Sequence, residues 1–294
     1  MTVRAEGIER AAPGVLGRRL KPVALRRLII SAVLIPICLI WVYPMIWMIS
    51  SSLKTNGEIF SGLGLFPNIV QVGNYINAWV RADMSRYFLN SVIVTLGGVA
   101  IVLVTTSTMG YVLGRYPFPG RRIAIGFLAA IVFLPQAFTI IPIVSLIGWL
   151  HLTGNLFGII LAESGSAHVL QILLFAGYFS QMPRELEESA TVDGAGFLRV
   201  FAQIYLPLAK PVVATVIIMQ FIASWNDFLV PLALTLSQPQ LRTLAVGVYS
   251  FQGENLTDWA TLCAASTIAL LPVIIVFLFL QRYFVEGLAG AVKQ

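Results

Sequence analysis

Charge is scarce in this chain. Lysine, arginine, aspartate and glutamate make up 11% of its 294 residues, against about a quarter in a soluble domain. Cysteine and histidine are scarcer, with two of each. Cys38 and Cys263 both lie inside apolar runs, far too few for a disulfide framework, and are ordinary lipid- or helix-facing side chains. With His151 and His168 they offer no metal-ligand spacing. The four lysines are Lys21, Lys54, Lys210 and Lys293. Only Lys54 precedes a Ser or Thr, and Leu53 stands where a phosphate-cradling loop needs Gly, so the chain has no P-loop. No nucleophile–base pair can be argued either, and no cofactor is expected.

What is plentiful is apolar surface. Hydrophobic residues make up 58% of the chain and the mean hydropathy is +0.86. A globular core of this length could not bury that much. The composition therefore excludes a soluble enzyme, a disordered chain and a nucleic-acid binder, despite a net charge of +6. Six apolar runs are each long enough for a bilayer core that needs roughly 20 helical residues: Leu28–Ile49, Asn90–Leu113, Ile123–Ile147, Leu156–Phe179, Pro211–Leu232 and Ala260–Tyr283. They neither alternate nor stop near ten residues, which excludes barrel strands. The expected fold is all-α, a polytopic membrane protein of six helices over 28–285, with a basic tail at 1–27 and a short tail at 286–294. The first run is too long for a signal h-region and lacks a convincing cleavage site, so it is read as a retained helix.

The basic residues give the orientation. Fifteen of the 19 lysines and arginines fall in the tail to residue 27, the 114–122 and 180–210 loops and the C-terminal end. The other four are Lys54, Arg81, Arg86 and Arg242. This bias places both termini in the cytoplasm of a cell (inner or plasma) membrane protein. Trp41, Trp47, Trp149 and Trp259 lie near span ends, where they suit the interfacial aromatic belt.

The cytoplasmic segment 181–210 is the informative one. Pro183 suits a first helical turn, and Glu185, Glu187 and Glu188 crowd the positive end of a helix dipole. Asp193-Gly194 signals a turn, with Gly194 free to take positive φ. Phe197, Val200, Phe201 and Ile204 then recur with helical spacing, opposite Arg199 and Gln203. A helix lying on lipid headgroups would carry a basic polar face. This first helix is acidic and would be repelled by an anionic leaflet, which favours a protein partner.

Those residues resemble the EAA loop of binding-protein-dependent ABC importer permeases: Glu188-Ser189-Ala190, three residues, Gly194, nine residues, then Ile204-x-Leu206-Pro207. Ser189 departs from the usual Ala and is equally small. Gly73-Asn74-Tyr75, Asn90-Ser91, Arg115-Tyr116-Pro117, Trp225-Asn226-Asp227 and Arg242-Thr243-Leu244 resemble the second permease of maltose/glycerol-phosphate-type sugar importers. The resemblance runs from about residue 28 to the C-terminus. It implies the type I ABC importer bundle and a permease subunit of an ATP-driven carbohydrate importer. The implied partners are a homologous second permease, two cytoplasmic ABC ATPase subunits that bind the ATP, and an extracytoplasmic sugar-binding protein. Glu188, Ser189, Ala190, Asp193 and Gly194 would form the ATPase contact. Ile204, Leu206 and Pro207 would anchor the loop. The alternatives are a self-contained secondary transporter, against which no internal repeat is evident, and a membrane enzyme, for which no catalytic cluster is present.

Polar residues within the runs mark a candidate pathway. In an unbroken helix, Ser164, His168 and Gln171 would lie within about 60° of one another, with His168 about 18 Å into the fourth span and Glu163 about 100° away from Ser164. The stripe reads either as a cavity wall that hydrogen-bonds sugar hydroxyls, or as helix–helix polar packing or a local helix break. Asn226 and Asp227 fall near the outer end of the fifth span, as substrate contacts or as a gate or packing element.

Overall fold

Glycine, proline and isolated polar residues decide where the apolar runs become helices. The computed structural model describes residues 20–292 apart from 82, 134–135, 166–167, 250 and 252–257. Most of the 1–27 tail and Lys293 lie outside the described residues. No strand occurs among those described.

Helix α1 (Leu20–Ser51) continues through Pro36 and Pro44, as membrane helices can when neighbouring groups satisfy the freed carbonyls. Two short helices follow, α2 (Asn56–Ile59) and α3 (Gly73–Ile76), the latter passing into a π-helical turn at Asn77–Arg81. Helix α4 (Met84–Arg115) has 32 residues, hence a length of about 48 Å at 1.5 Å per residue. That exceeds the hydrocarbon core, and Arg115 ends α4 just past its apolar portion. Then come α5 (Arg121–Ile131), a 3-10 turn (Gln136–Thr139) and α6 (Ile140–Trp149).

Helix α7 (Leu156–Ser164) begins at Asn155, whose side chain accepts the Phe157 N–H at 2.9 Å. It is bent by 59° from α8 (Val169–Ser180). Beyond lie α9 (Glu185–Val192), α10 (Phe197–Val200), a π-helical turn (Phe201–Tyr205) and α11 (Leu206–Leu208). The chain turns 81° into α12 (Lys210–Asn226). Helix α13 (Leu229–Thr235), a 3-10 turn (Pro239–Leu241), α14 (Leu244–Tyr249) and α15 (Trp259–Val292) complete it.

Among the described residues, three helices are long and apolar enough to cross a membrane, or up to five if each bent pair is one span. The six apolar runs are thus not six straight rods. The run 123–147 is divided between α5 and α6, and the run 211–232 ends its first helix at Asn226. The second break falls at Asp227, whose backbone is extended at the C-cap of α12. Its N–H donates to the Ser224 carbonyl at 3.3 Å, and α13 starts after Phe228.

Helix α4 is the centre, packing on α7, α8 and α12, while α12 packs on α15. Small residues make the approach possible. Gly110 and Gly114 stand four apart on α4. A Cβ at Gly110 would strike Phe175 of α8, and one at Gly114 would lie 2.6 Å from the Ala176 carbonyl oxygen. This is the small-xxx-small geometry by which membrane helices gain dispersion contacts without a hydrophobic driving force. Among the described residues, three clusters fill the interior. One, at the C-terminal end of α4, includes Tyr111, Phe175, Phe179, Phe201, Tyr205 and Val216. A second, towards the N-terminal end of α4, includes Tyr87, Trp225 and Leu244, and a third includes Val94, Ile147 and Ile160. Helix α1 touches α15 and otherwise presents apolar side chains outward, Trp41 being 77% exposed.

Candidate functional site

The acidic segment folds as a short, self-capped helix. Glu185, Glu187 and Glu188 occupy the first turn of α9, where carboxylates stabilise the N-terminal dipole. Pro183 stands just ahead of the helix, not inside its first turn as the sequence suggested, because Arg184 takes the N-cap position. The other end is a Schellman motif. The Ala195 N–H donates to the Ala190 carbonyl at 2.9 Å, and the Gly194 N–H to the Thr191 carbonyl at 3.0 Å. Gly194 has φ of +81°, which a residue with a Cβ adopts only with strain.

Glu188, Ser189, Asp193 and Gly194 are exposed, whereas Ala190 is buried in the aromatic cluster. The helix therefore offers one polar surface outward, with Ala190 as its buried residue beneath. Val192 at 88% exposure and Leu198 at 72% flank this surface as apolar projections.

The following segment anchors it. Ile204 and Leu206 pack against the cluster, while Pro207 is exposed beside the 81° bend. The π-helical turn inserts one extra residue, so the buried set becomes Val200, Phe201 and Tyr205 instead of a stripe running from Phe197 to Ile204. Phe197 is 45% exposed and rests on Tyr111 and Tyr116. Arg199 and Gln203 do lie on the outer side, bonded at 3.1 Å.

Sequence reasoning took Glu187 only as one of three dipole carboxylates, yet it has partners on three other segments. One Oε2 accepts from Arg115 Nη2 at 3.2 Å, from Arg115 Nε at 3.3 Å and from the Tyr205 hydroxyl at 3.3 Å, and Oε1 accepts from the Tyr116 hydroxyl. Arg115 also donates to the Met182 carbonyl at 2.8 Å, and its guanidinium carbon lies 5.0 Å from the centre of the Tyr205 ring. Burial and the nearby Glu187 carboxylate push the Tyr205 phenol up to about 12, against the opposing effect of Arg115. Burial and the bond to Glu187 likewise raise Tyr116. Both phenols thus stay protonated and donate. Arg115-Tyr116 drew notice only as part of a longer resemblance, because its partner lies 72 residues further along the chain.

The proposed polar stripe in the fourth span is interrupted. Residue 164 ends α7 and His168 precedes α8, so Ser164, His168 and Gln171 do not follow one helical wheel. Ser166 lies outside the described residues. Glu163, set apart by the unbroken-helix geometry, is instead buried and accepts a hydrogen bond from Ser224 of α12. The space above Gly98 gathers this group: a Cβ there would sit 3.6 Å from Ser224 Oγ, 3.8 Å from Ser164 Oγ and 3.9 Å from Gln220 Nε2. Glu163 Oε1, Ser164 Oγ, His168 Nε2 and Gln220 Oε1 are buried without a hydrogen-bond partner. Gln171 is half-buried. Asn226 is exposed, donates to the Ile222 carbonyl at 2.8 Å and lines a small cleft with Leu244, Ala245 and Ser266. Asp227 is half-buried at the break between α12 and α13.

Several motif residues turn out to tie loops to helices. Asn74 Nδ2 donates to the carbonyls of Ser52 and Lys54, each at 2.9 Å. Asn90 Nδ2 donates to those of Gln240 and Arg242, also at 2.9 Å, and Ser91 Oγ accepts the Leu244 N–H at 2.7 Å. Trp225 Nε1 donates to the Ala269 carbonyl at 2.9 Å.

A helical membrane bundle with an exposed acidic helix between two bent segments is thus in place. Residues 106–290 match the family described as binding-protein-dependent transport system inner membrane component. The chain belongs to that family. It is a multi-pass membrane permease, a transport subunit and not an enzyme, and works in a complex with other ABC components. The permease is 34% identical over 264 residues to the diacetylchitobiose uptake system permease protein NgcG of Streptomyces coelicolor, covering 90% of this chain and 86% of that one. It is 31% identical to the melibiose/raffinose/stachyose import permease protein MelC of Bacillus subtilis, covering 85% and 91%. In fold it resembles a chain from the crystal structure of a bacterial ABC transporter involved in the import of the acidic polysaccharide alginate. There the TM-score is 0.76 at 24% identity, with 92% and 100% of the two chains covered.

Proposed function

We propose that this permease forms half of the translocation pathway of an ATP-driven carbohydrate importer and is driven through α9 by a separate ATPase. The observation that carries the proposal is the exposed, self-capped helix α9, with Ala190 its one buried residue, seated on a dense aromatic cluster. Such an element takes force from outside without deforming itself. Glu188, Ser189, Asp193 and Gly194 form the outward contact, Ala190 seats the helix, and Ile204, Leu206 and Pro207 hold the loop to the bundle. The absence of a P-loop leaves ATP binding to partner subunits.

Carbohydrate as cargo is supported by the relatives, NgcG and MelC, whose uptake or import concerns diacetylchitobiose and melibiose, raffinose or stachyose. The other partners are a homologous second permease and an extracytoplasmic sugar-binding protein. The 15-to-4 charge bias supports cytoplasmic termini, and with them a cytoplasmic α9 within reach of an ATPase. Ser164, His168, Gln171, Asn226 and Asp227 are the pathway candidates. Asn226, exposed in a cleft, is the most accessible of them.

Co-expression with the second permease, the ATPase and the binding protein tests this. The wild-type chain should retain the ATPase and support uptake of one of a panel of radiolabelled diacetylchitobiose, melibiose and raffinose. A chain carrying Glu188→Lys and Gly194→Pro should lose both. Normal retention and uptake by that variant would sink the docking assignment.

A further inference from the structure

Glu187 and Glu188 are neighbours with opposite fates. Glu188 faces outward, while Glu187 turns in towards the membrane helices. Its carboxylate joins three parts of the chain at once: the end of α4 through Arg115, the turn after it through Tyr116, and the π-helical turn through Tyr205. The Arg115 side chain is 4% exposed and that of Glu187 23%. The pair is therefore shielded from solvent on the arginine side and partly reachable on the other. Arg115 is itself locked to the last turn of α8 and the start of the loop, donating to the carbonyls of Phe179 at 3.5 Å and Met182 at 2.8 Å.

The position of this knot matters more than its strength. Within α9 only Ala190 is buried, so the polar knot at Glu187 is the other firm hold of that helix on the bundle. It lands on α4, the helix against which α7, α8 and α12 all pack. A charge-assisted link between a carboxylate and a guanidinium fixes direction as well as distance. A displacement of α9 is then passed to α4 along a stiff connection, and from α4 to the two bent segments that carry the pathway candidates. An apolar seat at Ala190 alone would let the helix slide.

We propose that Glu187 is a positioning residue that transmits motion of α9 to α4. The proposal rests on the assignment of α9 as the ATPase-docking helix. It predicts a separation of two properties: removing the charge uncouples the membrane helices from the ATPase without detaching it.

The test uses the assembled importer in proteoliposomes. Cys38 and Cys263 are replaced by serine and a reporter cysteine is placed at Asn226. ATP hydrolysis and the change in N-ethylmaleimide reactivity caused by ATP with vanadate are read on the same vesicles. Glu187→Gln keeps the shape of the side chain and removes its charge. We expect hydrolysis within about twofold of wild type and an ATPase retained on purification, with the ATP-dependent reactivity change reduced about five- to tenfold, the size of a typical coupling term. Tyr116→Phe combined with Tyr205→Phe removes two donors and leaves the ion pair. It should give a smaller reduction in the same direction, and it decides the matter if Glu187→Gln does not assemble. A reactivity change equal to wild type in an assembled variant overturns the transmission role alone. Failure of the wild-type chain to retain an ATPase overturns the docking assignment and this role with it.

Discussion

Gly110 of α4 lies so close to Phe175 of α8 that a Cβ on the glycine would strike the phenylalanine Cβ. The Ile172 carbonyl oxygen and the Ala176 nitrogen would each be 3.0 Å away, so backbone as well as side chain lines the contact. Gly110→Ala should therefore lower the stability of the purified permease, and Gly110→Leu should do so by about 1–3 kcal/mol or prevent assembly, as overpacking does in a filled interior. Thermal unfolding in detergent, followed by tryptophan fluorescence, measures it. Gly177, with open space around it, is the control position.

Asn90 satisfies two carbonyls of the 240–242 turn with one amide group. Asn90→Ala leaves both without that donor in a part-buried site, and should cost about 1–3 kcal/mol. Asn90→Asp should do no better, since a carboxylate cannot donate. Limited proteolysis should then cut near 238–243 faster than in wild type.

The cluster at the α4 C-terminal end gives a pH signature. The folded-state pKa of Tyr205 is raised above its ordinary value of 10 to about 12. Its contribution is fully present below pH 10 and is lost as the pH rises through that interval, where the unfolded chain ionises first. Thermal stability should hold to about pH 10 and then fall. Tyr205→Phe should flatten that fall while lowering stability at neutral pH. An equally steep decline in the variant would show that other groups set the alkaline limit.

Ser224 is the hydrogen-bond donor to a carboxyl buried between α7 and α12. Ser224→Ala should destabilise the permease by about 1–3 kcal/mol by stranding that group. The double variant Ser224→Ala with Glu163→Leu should recover part of the loss, because no polar group is then left unmet. A double-mutant cycle on unfolding midpoints gives the coupling; additive losses would refute the pairing.

Local signals in the sequence carried a long way. The acidic turn, Asp193-Gly194 and the Ile204-x-Leu206 ending lie within one segment, so spacing alone located the loop and its cap. Long apolar stretches likewise gave the helical class. What escaped was tertiary or non-ideal. Glu187 looked like another dipole carboxylate because Arg115 is remote in sequence. The π-helical turn adds a residue that no 100° projection anticipates, which is why Tyr205 and not Ile204 fills the core. The Ser164–Gln171 stripe held only for a continuous helix, and the local break weighed beside it is what separates α7 from α8. Gly110 and Gly114 were plainly spaced for close packing and became informative once α8 stood opposite them.

The peripheral position of α1 bears on how the molecule is made. Its partner is α15, and the Asn56–Asp258 hydrogen bond that secures the α1–α2 corner joins residues 202 positions apart. When α1 is made, α15 is still to come, so α1 has to stay in lipid until that later helix is synthesised. Helices that are individually stable in the bilayer before they associate permit such waiting. The apolar outer face of α1 suits that interval, since it lets the helix rest in lipid until α15 arrives to join it.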